Sequence, residues 1–323
     1  MSRSEGRCEM KTKRRFALVL AVLAGLTAVL FLASQPSDPL HKGKRLSEWL
    51  QEFDMSNSVL EPDRRRKAEQ AIREIGTNAL PFLVRELRAR DSWLKRKTLK
   101  LTPKLLLGRM PTAVFAHVRR QRAVAGFRAL GPLGTPALPQ LSDLLNDKEI
   151  ASYAARAMVQ MGTDAVPPLM SALTNREPAV RIAAADGLYW LKSDAAPAVP
   201  ALMAALKEEK ESVRRGAASA LGNIGQRAEA VVPALLDALK DPISSVRDQA
   251  VWALGRFRAE AKAAVPALLK AAKEDADNRV RRSAADALMR IDPDAVTASG
   301  LMDPETAAAW KLLEMEAEKL EKK

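Results

Sequence analysis

The sequence predicts an all-α fold: a right-handed stack of α-α helical hairpins wound into a solenoid, preceded by one N-terminal transmembrane or signal-anchor helix. Three observations carry this. The phrase "NREPAVRIAAADGLY" (175–189) recurs as "EEKESVRRGAASALG" (208–222) and as "DPISSVRDQAVWALG" (241–255), at one constant interval. Hydrophobic residues make up 47% of the chain but aromatics only 4%, and the apolar content is mostly Ala and Leu. Such a chain favours helices over strands, and no alternating run is long enough to suggest a sheet. Finally, the segment 16–33, "FALVLAVLAGLTAVLFLA", runs from Phe16 to Ala33 without a charge.

In chain order, residues 1–15 form a basic tail ending in "KTKRR" (11–15). The apolar run 16–33 would span about 27 Å as a helix, close to the hydrocarbon thickness of a bilayer. The basic cluster before it points to a cytoplasmic N-terminus, although Lys42, Lys44 and Arg45 place charge on the far side too. An uncut anchor is expected, since "FLASQ" lacks an A-x-A cleavage pattern; secretion after signal cleavage is the alternative. The single cysteine, Cys8, precedes the run, so neither an internal disulfide nor a cysteine-based metal site can form. His41 and His117 fall in no ligand-spaced motif and read as surface or core residues.

Residues 34–60 read as a linker and a capping helix, with Leu46, Trp49, Leu50 and Phe53 at helical spacing. Residues 61–295 read as the repeat. Pro167, Pro200, Pro233 and Pro266 recur at the interval of the opening phrase, and Arg181, Arg214, Arg247 and Arg281 keep it to within one position. Such a period falls within the range of helical solenoids. In 228–255, Val232, Leu235, Leu236 and Leu239 share one helical face, with Pro233 near the helix start, where its missing N–H is tolerated. "KDPIS" breaks the helix, and Val246, Ala250, Ala253 and Leu254 mark a second stripe. Gly255, Gly225 and Gly76 fall where helix ends favour glycine. Each unit is therefore helix, turn, helix, and a hairpin this small buries its second face only by stacking on a neighbour. Residues 296–323 read as a closing helix.

These residues carry a resemblance. "AVVPALLDALKDPISSVRDQAVWALG" resembles a HEAT repeat of the short variety called PBS-lyase HEAT-like, with a proline in the first helix, Asp at the turn and Val-Arg opening the second. Here those are Pro233, Asp241 and Val246-Arg247; then Pro200, Glu208 and Val213-Arg214; then Pro266, Asp275 and Val280-Arg281. Pro167, Asn175 and Val180-Arg181 follow, with Asn in place of the acid. The match is strong over 130–292, fair over 61–89 and poor over 90–121. The resemblance implies that the pairs Asn175/Arg181, Glu208/Arg214, Asp241/Arg247 and Asp275/Arg281 form a structural ladder joining turns to helices.

Charge is uneven. Residues 88–128 hold 12 Lys and Arg against one acid, Asp91, whereas 131–323 hold 25 against 27, a net of −2. This basic segment is either a solubilising insertion or an anionic contact through Lys95, Arg96, Lys97, Lys100, Arg119, Arg120 and Arg122. Acidic lipid headgroups, an acidic protein or an envelope polymer would suit such a contact. Nucleic acid is not expected, because the predicted topology puts the segment across the membrane from it.

The sequence holds no His-Glu pair like that of the iron hydroxylases of this fold, no G-x-S-x-G, no P-loop and no H-E-x-x-H. No catalytic residue, metal or cofactor is expected. The second helices instead align Ile182, Asp186 and Trp190; Arg215, Ser219 and Asn223; Asp248, Trp252 and Arg256; and Arg282, Asp286 and Arg290. HEAT stacks usually turn this layer to the concave side. Trp and Arg are common binding anchors, so Trp190, Arg215, Asn223, Trp252, Arg256, Arg282 and Arg290 are candidate partner contacts; alternatively the tryptophans pack between units. The expected function is a non-enzymatic, membrane-tethered, monomeric scaffold that binds an unknown protein or peptide outside the cytoplasm. The alternatives are a lyase-like or enzyme-accessory role and a polyanion or nucleic-acid binder using 88–128.

Overall fold

The computed structural model describes residues 37–53, 62–91, 115–303, 305–306 and 309. The apolar run 16–33, the basic residues Lys95, Arg96, Lys97 and Lys100, and most of the closing helix expected over 296–323 lie outside them. No helix among the described residues is long and apolar enough to cross a membrane.

A feature the sequence did not suggest comes first. Strands β1 (Leu40–His41) and β2 (Lys44–Arg45) form a short antiparallel hairpin, turned by Lys42 and Gly43 at φ 49° and 77°. It docks through Glu74, which meets both His41 Nε2 and Lys42 Nζ at 2.6 Å. Hydrogen bonds from Lys42, then His41 and Gln70, hold the Glu74 carboxyl down at about 2. The rest is helical. Helix α1 (Leu46–Gln51) buries Leu46 and Leu50, with Trp49 and Phe53 packed beside them. Then come α2 (Pro62–Ile75), α3 (Leu80–Leu87), α4 (Ala116–Leu130), α5 (Leu138–Leu145), α6 (Ala151–Met158), α7 (Val166–Ala172) and α8 (Pro178–Leu191). They are followed by α9 (Val199–Ala205), α10 (Glu211–Ile224), α11 (Ala228–Ala238), α12 (Ser244–Arg256), α13 (Val265–Glu274), α14 (Asn278–Ile291) and α15 (Pro293–Ala298).

From α3 to α14 these pair as first helix and second helix of six hairpins, with α2 a second helix at the N-terminal end. Proline occupies the first turn of α3, α5, α7, α9 and α13, where it displaces no helical hydrogen bond. Pro233 differs from expectation. It lies inside α11, because that helix starts early, at Ala228, directly after a left-handed turn at Gly225 and Arg227. The other links between units are short 3-10 turns, such as Gly131–Ala137 and Lys192–Ala198.

The two layers pack differently. Successive second helices α6, α8, α10, α12 and α14 make extensive contact, whereas first helices of adjacent units scarcely touch. Small residues make this possible. A Cβ on Gly222 would lie 2.7 Å from the Cα and Cβ of Ala253, and one on Gly255 would lie 3.2 Å from those of Ala287. Gly255 is therefore not the helix-end glycine that the sequence suggested. It lies within α12 and serves helix approach, while Gly225 does end α10 in the left-handed region (φ 61°, ψ 30°). A stack that is tight on one layer and splayed on the other curves toward the tight one, so the second helices form the inner face.

The arginine ladder exists, with a wiring the sequence did not reveal. Each guanidinium bonds the backbone carbonyl six residues earlier, not the side chain there. Arg181 donates to Asn175 O at 2.7 Å, Arg214 to Glu208 O at 2.8 Å, Arg247 to Asp241 O at 2.9 Å and Arg281 to Asp275 O at 2.5 Å. The acidic partner comes from the next unit. Arg181 reaches Glu208 at 3.4 Å; Arg214 forks onto Asp241 at 2.6 and 3.0 Å; Arg247 forks onto Asp275 at 2.8 Å through both nitrogens. Planar, bidentate pairing of this kind is strong and directional. The carboxylates also close their own turns, Asp241 accepting from Ile243 N and Asp275 from Asp277 N.

One of the units keeps the turn without an acid. Asn175 stands where the other units carry a carboxylate, and Asn175 Oδ1 accepts from Glu177 N at 3.0 Å, closing its turn as Asp241 and Asp275 close theirs. Asn175 also donates to Asn146 Oδ1 at 2.8 Å.

The packing and the ladder can each be tested. Leu254 and Val246 are fully buried, so Leu254→Ala should cost about 2–5 kcal/mol in urea unfolding. The ladder should show itself through pH. Burial pushes the Asp241 carboxyl up, but the bonds from Arg214 and Ile243 N and the charges of Arg214 and Arg247 outweigh it and leave it lowered. Asp275 is lowered chiefly by its bond from Arg247. Unfolded Asp titrates near about 3.9. Because the folded values are lower, the ladder's contribution is complete above that pH and vanishes as pH falls through the folded values. Asp241→Ala should therefore cost about 2–3 kcal/mol at neutral pH, and its gap from wild type should narrow below about pH 4. A gap independent of pH would contradict the pairing.

Candidate partner-binding face of the second helices

The inner face carries the residues that the sequence aligned. Trp190, at the C-terminal end of α8, is 60% exposed. Its indole meets Tyr189 edge-on at 5.2 Å between ring centres, and Tyr189 in turn lies 6.3 Å from Trp252. The two tryptophans, two units apart in sequence, thus belong to one aromatic row bridged by Tyr189. Asn223, from the unit between them, donates to Tyr189 O at 2.8 Å and fixes that bridge. Tyr189 was not singled out in the sequence, because the helical register places it one residue off the stripe.

Trp252 is only half exposed and packs on the core. It lies so close to α10 that a Cβ on Gly222 would come within 3.0 Å of its Cζ3. Arg256 sits over its ring at 5.9 Å, within cation–π range. Trp252 therefore packs between units while showing an edge to solvent, so the two alternatives for the tryptophans divide between them: Trp190 is the exposed one and Trp252 the packed one.

The remaining stripe residues also divide. Arg215, Arg256 and Arg282 are exposed, and Arg290 is half-buried with its Cδ against Gly255. Asp186 is exposed, yet loss of solvent on the inner face raises its carboxyl above the usual range, partly offset by the Arg215 charge. Asp248 accepts from Ser283 Oγ at 2.6 Å and so ties α12 to α14.

The expected anionic contact fails at Arg119 and Arg120. Arg119 forks onto Glu86 at 2.7 Å through both nitrogens, which raises its affinity for its proton. Arg120 is 8% exposed, far too buried to meet an outside polyanion. It donates to Ala89 O at 2.6 and 3.0 Å and to Glu149 O at 3.2 Å. Arg120 is the ladder arginine of the α3–α4 hairpin. Its bond to Ala89 O matches the carbonyl bonds of Arg181 and Arg214, although residues 92–114 are inserted between donor and acceptor in the sequence. Asp91 Oδ1 accepts from Ala116 N at 3.1 Å and closes the base of that insertion. Arg122 is half-buried and already engaged. Residues 116–130, of which 116–121 match the repeat poorly in sequence, are thus a regular second helix.

The backbone marks Arg120 in the same way. Three of the four ladder arginines precede, by one fixed interval, a positive-φ residue at the end of their helix: Arg181 before Lys192, Arg214 before Gly225, Arg247 before Arg258; Arg281 does not, since Asp292 has φ −155°. The same interval counted back from Gly131 lands on Arg120.

Farther along the same face, Val124 and Arg128 of α4, Arg156 of α6, Val159, Gln160 and Trp190 line a cleft of about 300 Å³. Among the described residues no group of three or more His, Cys, Asp or Glu is placed to hold a metal ion.

Stacked helical hairpins with a tight inner layer define an α-solenoid of nearest-neighbour units. More narrowly, the chain belongs to the HEAT-repeat family, whose model matches residues 135–210, 194–255 and 232–303. Its path is similar to that of an engineered protein at 19% identity, covering 76% of this chain and 96% of that one, with a TM-score of 0.44. It is also similar to a designed armadillo repeat protein in complex with the peptide (KR)4, at 20% identity, 66% and 99% coverage and TM-score 0.43. A third likeness is to the karyopherin Kap121p bound to the extreme C-terminus of the protein phosphatase Cdc14p, at 16% identity, 81% and 31% coverage and TM-score 0.49. No curated protein matches the chain.

The exposures of the two tryptophans separate their roles. Trp190→Ala should change unfolding free energy by less than about 0.5 kcal/mol. Trp252→Ala should cost about 2 kcal/mol or more, because it empties a packed contact. Equal costs would mean that the two indoles are equivalent.

Proposed function

We propose that this chain is a non-enzymatic scaffold that binds a protein or peptide along the inner layer of second helices. The observation that carries this reading is the exposed indole of Trp190, continued by Tyr189 and Trp252 into an aromatic row across three units. A large aromatic held rigidly in a curved, partly desolvated face is the kind of group that anchors protein interfaces. Arg215, Arg256 and Arg282 are exposed on the same layer and supply polar contacts beside it.

The short repeat period and the Val-Arg start of α8, α10, α12 and α14 favour the PBS-lyase HEAT-like variety of repeat. In the same reading the apolar run 16–33 tethers the scaffold as an uncut anchor, with the repeats outside the cytoplasm.

Both parts can be tested in the cell. A photo-crosslinking residue at position 190 should capture discrete protein adducts, and the same residue at Lys207, exposed on the first-helix layer, should not. Adducts of equal yield at both positions, or none at 190, would overturn the binding face. A phosphatase reporter active only outside the cytoplasm, fused after Lys323, should be active and sediment with membranes. A cytoplasmic reporter, or a soluble product beginning near Ser34, would overturn the tether.

A further inference from the structure

We propose that the cleft between Arg128, Arg156 and Trp190 receives a carboxylate side chain from an acidic peptide lying along the second-helix layer. This deepens the partner-binding reading of that face and rests on it. Arg128 and Arg156 project from adjacent second helices, and both are exposed. Among the described residues neither is ion-paired or hydrogen-bonded to a carboxylate, in contrast to Arg119, Arg181, Arg214 and Arg247. They line one cleft of about 300 Å³ with Gln160 and the Trp190 indole.

The electrostatics agree with the geometry. Loss of solvent is the main cause that lowers the Arg128 guanidinium from its ordinary value; the like charge of Arg65 lowers it further, Glu69 pulls the other way, and Arg156 adds the smallest push downward. Arg128 and Arg156 line the same cleft, and an anion placed between like charges relieves their repulsion. A carboxylate suits the site because its two oxygens match guanidinium forks. Val124 and Val159 add apolar lining to the cleft, and Trp190 gives the aliphatic part of a glutamate an apolar surface with a polar edge.

The cleft volume lies at the small end for ligand sites, which suits one side chain rather than a large cofactor. Its wall at Trp190 is also the first member of the aromatic row, so a chain entering the cleft continues along the same layer past Arg215 and Arg256. Charge complementarity with these exposed arginines favours an acidic segment as the occupant.

The test uses the full chain in neutral detergent and a fluorescein-labelled peptide of alternating glutamate and alanine, read by fluorescence anisotropy. Saturable binding is expected, weakened at least about tenfold in the Arg128→Ala/Arg156→Ala double variant and unchanged in Lys207→Ala. Both arginines are exposed, so circular dichroism should show the variant folded. Equal affinity of double variant and wild type would overturn the site. So would absence of binding to wild type, or displacement by inorganic phosphate far beyond that of chloride at equal ionic strength, which would mark a small-anion site. A labelled lysine–alanine peptide binding more tightly than the acidic one would overturn the acidic assignment. In each of these outcomes crosslinks from position 190 would still support the binding face, whereas loss of those crosslinks alone would count against the broader reading.

Discussion

The close approach of the second helices shapes the rest of the molecule. Gly222 meets Ala253, and Gly255 meets Ala287, at distances that leave no room for a Cβ without movement. The first helices carry Leu, Val, Met and Pro toward their neighbours and stay farther apart. Curvature is the outcome of this difference in side-chain volume, and it turns Trp190, Arg128 and Arg156 toward a common space. An Ala-rich composition, which on its face only favours helix, thus also fixes which layer becomes the inner one.

Packing alone tolerates some sliding of one hairpin on the next, and the ladder opposes it. Arg214 holds two carbonyls of its own turn and a carboxylate of the next, so turn shape and inter-unit register are set by one side chain. The same device accommodates the insertion between α3 and α4. Arg120 and Asp91 close its base, and the helices on either side keep the pairing of the other hairpins. Residues can be added at that point because both ends of the insertion are tied to the frame.

Most of the fold was legible in the sequence, because each unit repeats the same period and apolar stripe. What could not be read were features that depend on contacts between units. The Asp241/Arg247 pair looks like a local pair six residues apart, but the carboxylate belongs to Arg214 and the arginine to Asp275. Sequence spacing cannot separate a side-chain partner from a backbone one. Arg120 was read as part of a basic surface because the insertion moved it out of the repeat register. Of the second-helix stripe, Trp190 and Asn223 could be placed from helical phase. The packing of Trp252 depended on Gly222, a residue without a side chain to notice, and the Arg128–Arg156 cleft depended on the offset between neighbouring helices.

The extensive packing contacts join elements of the same unit or of adjacent ones, and the ladder links residues only 27 or 28 positions apart. Beyond α4, each hairpin settles chiefly on its immediate neighbour in the chain. A chain built this way can acquire its shape progressively from the N-terminal end while the remainder is still being synthesised or threaded through a narrow channel. Each finished hairpin then serves as the template on which the next one docks.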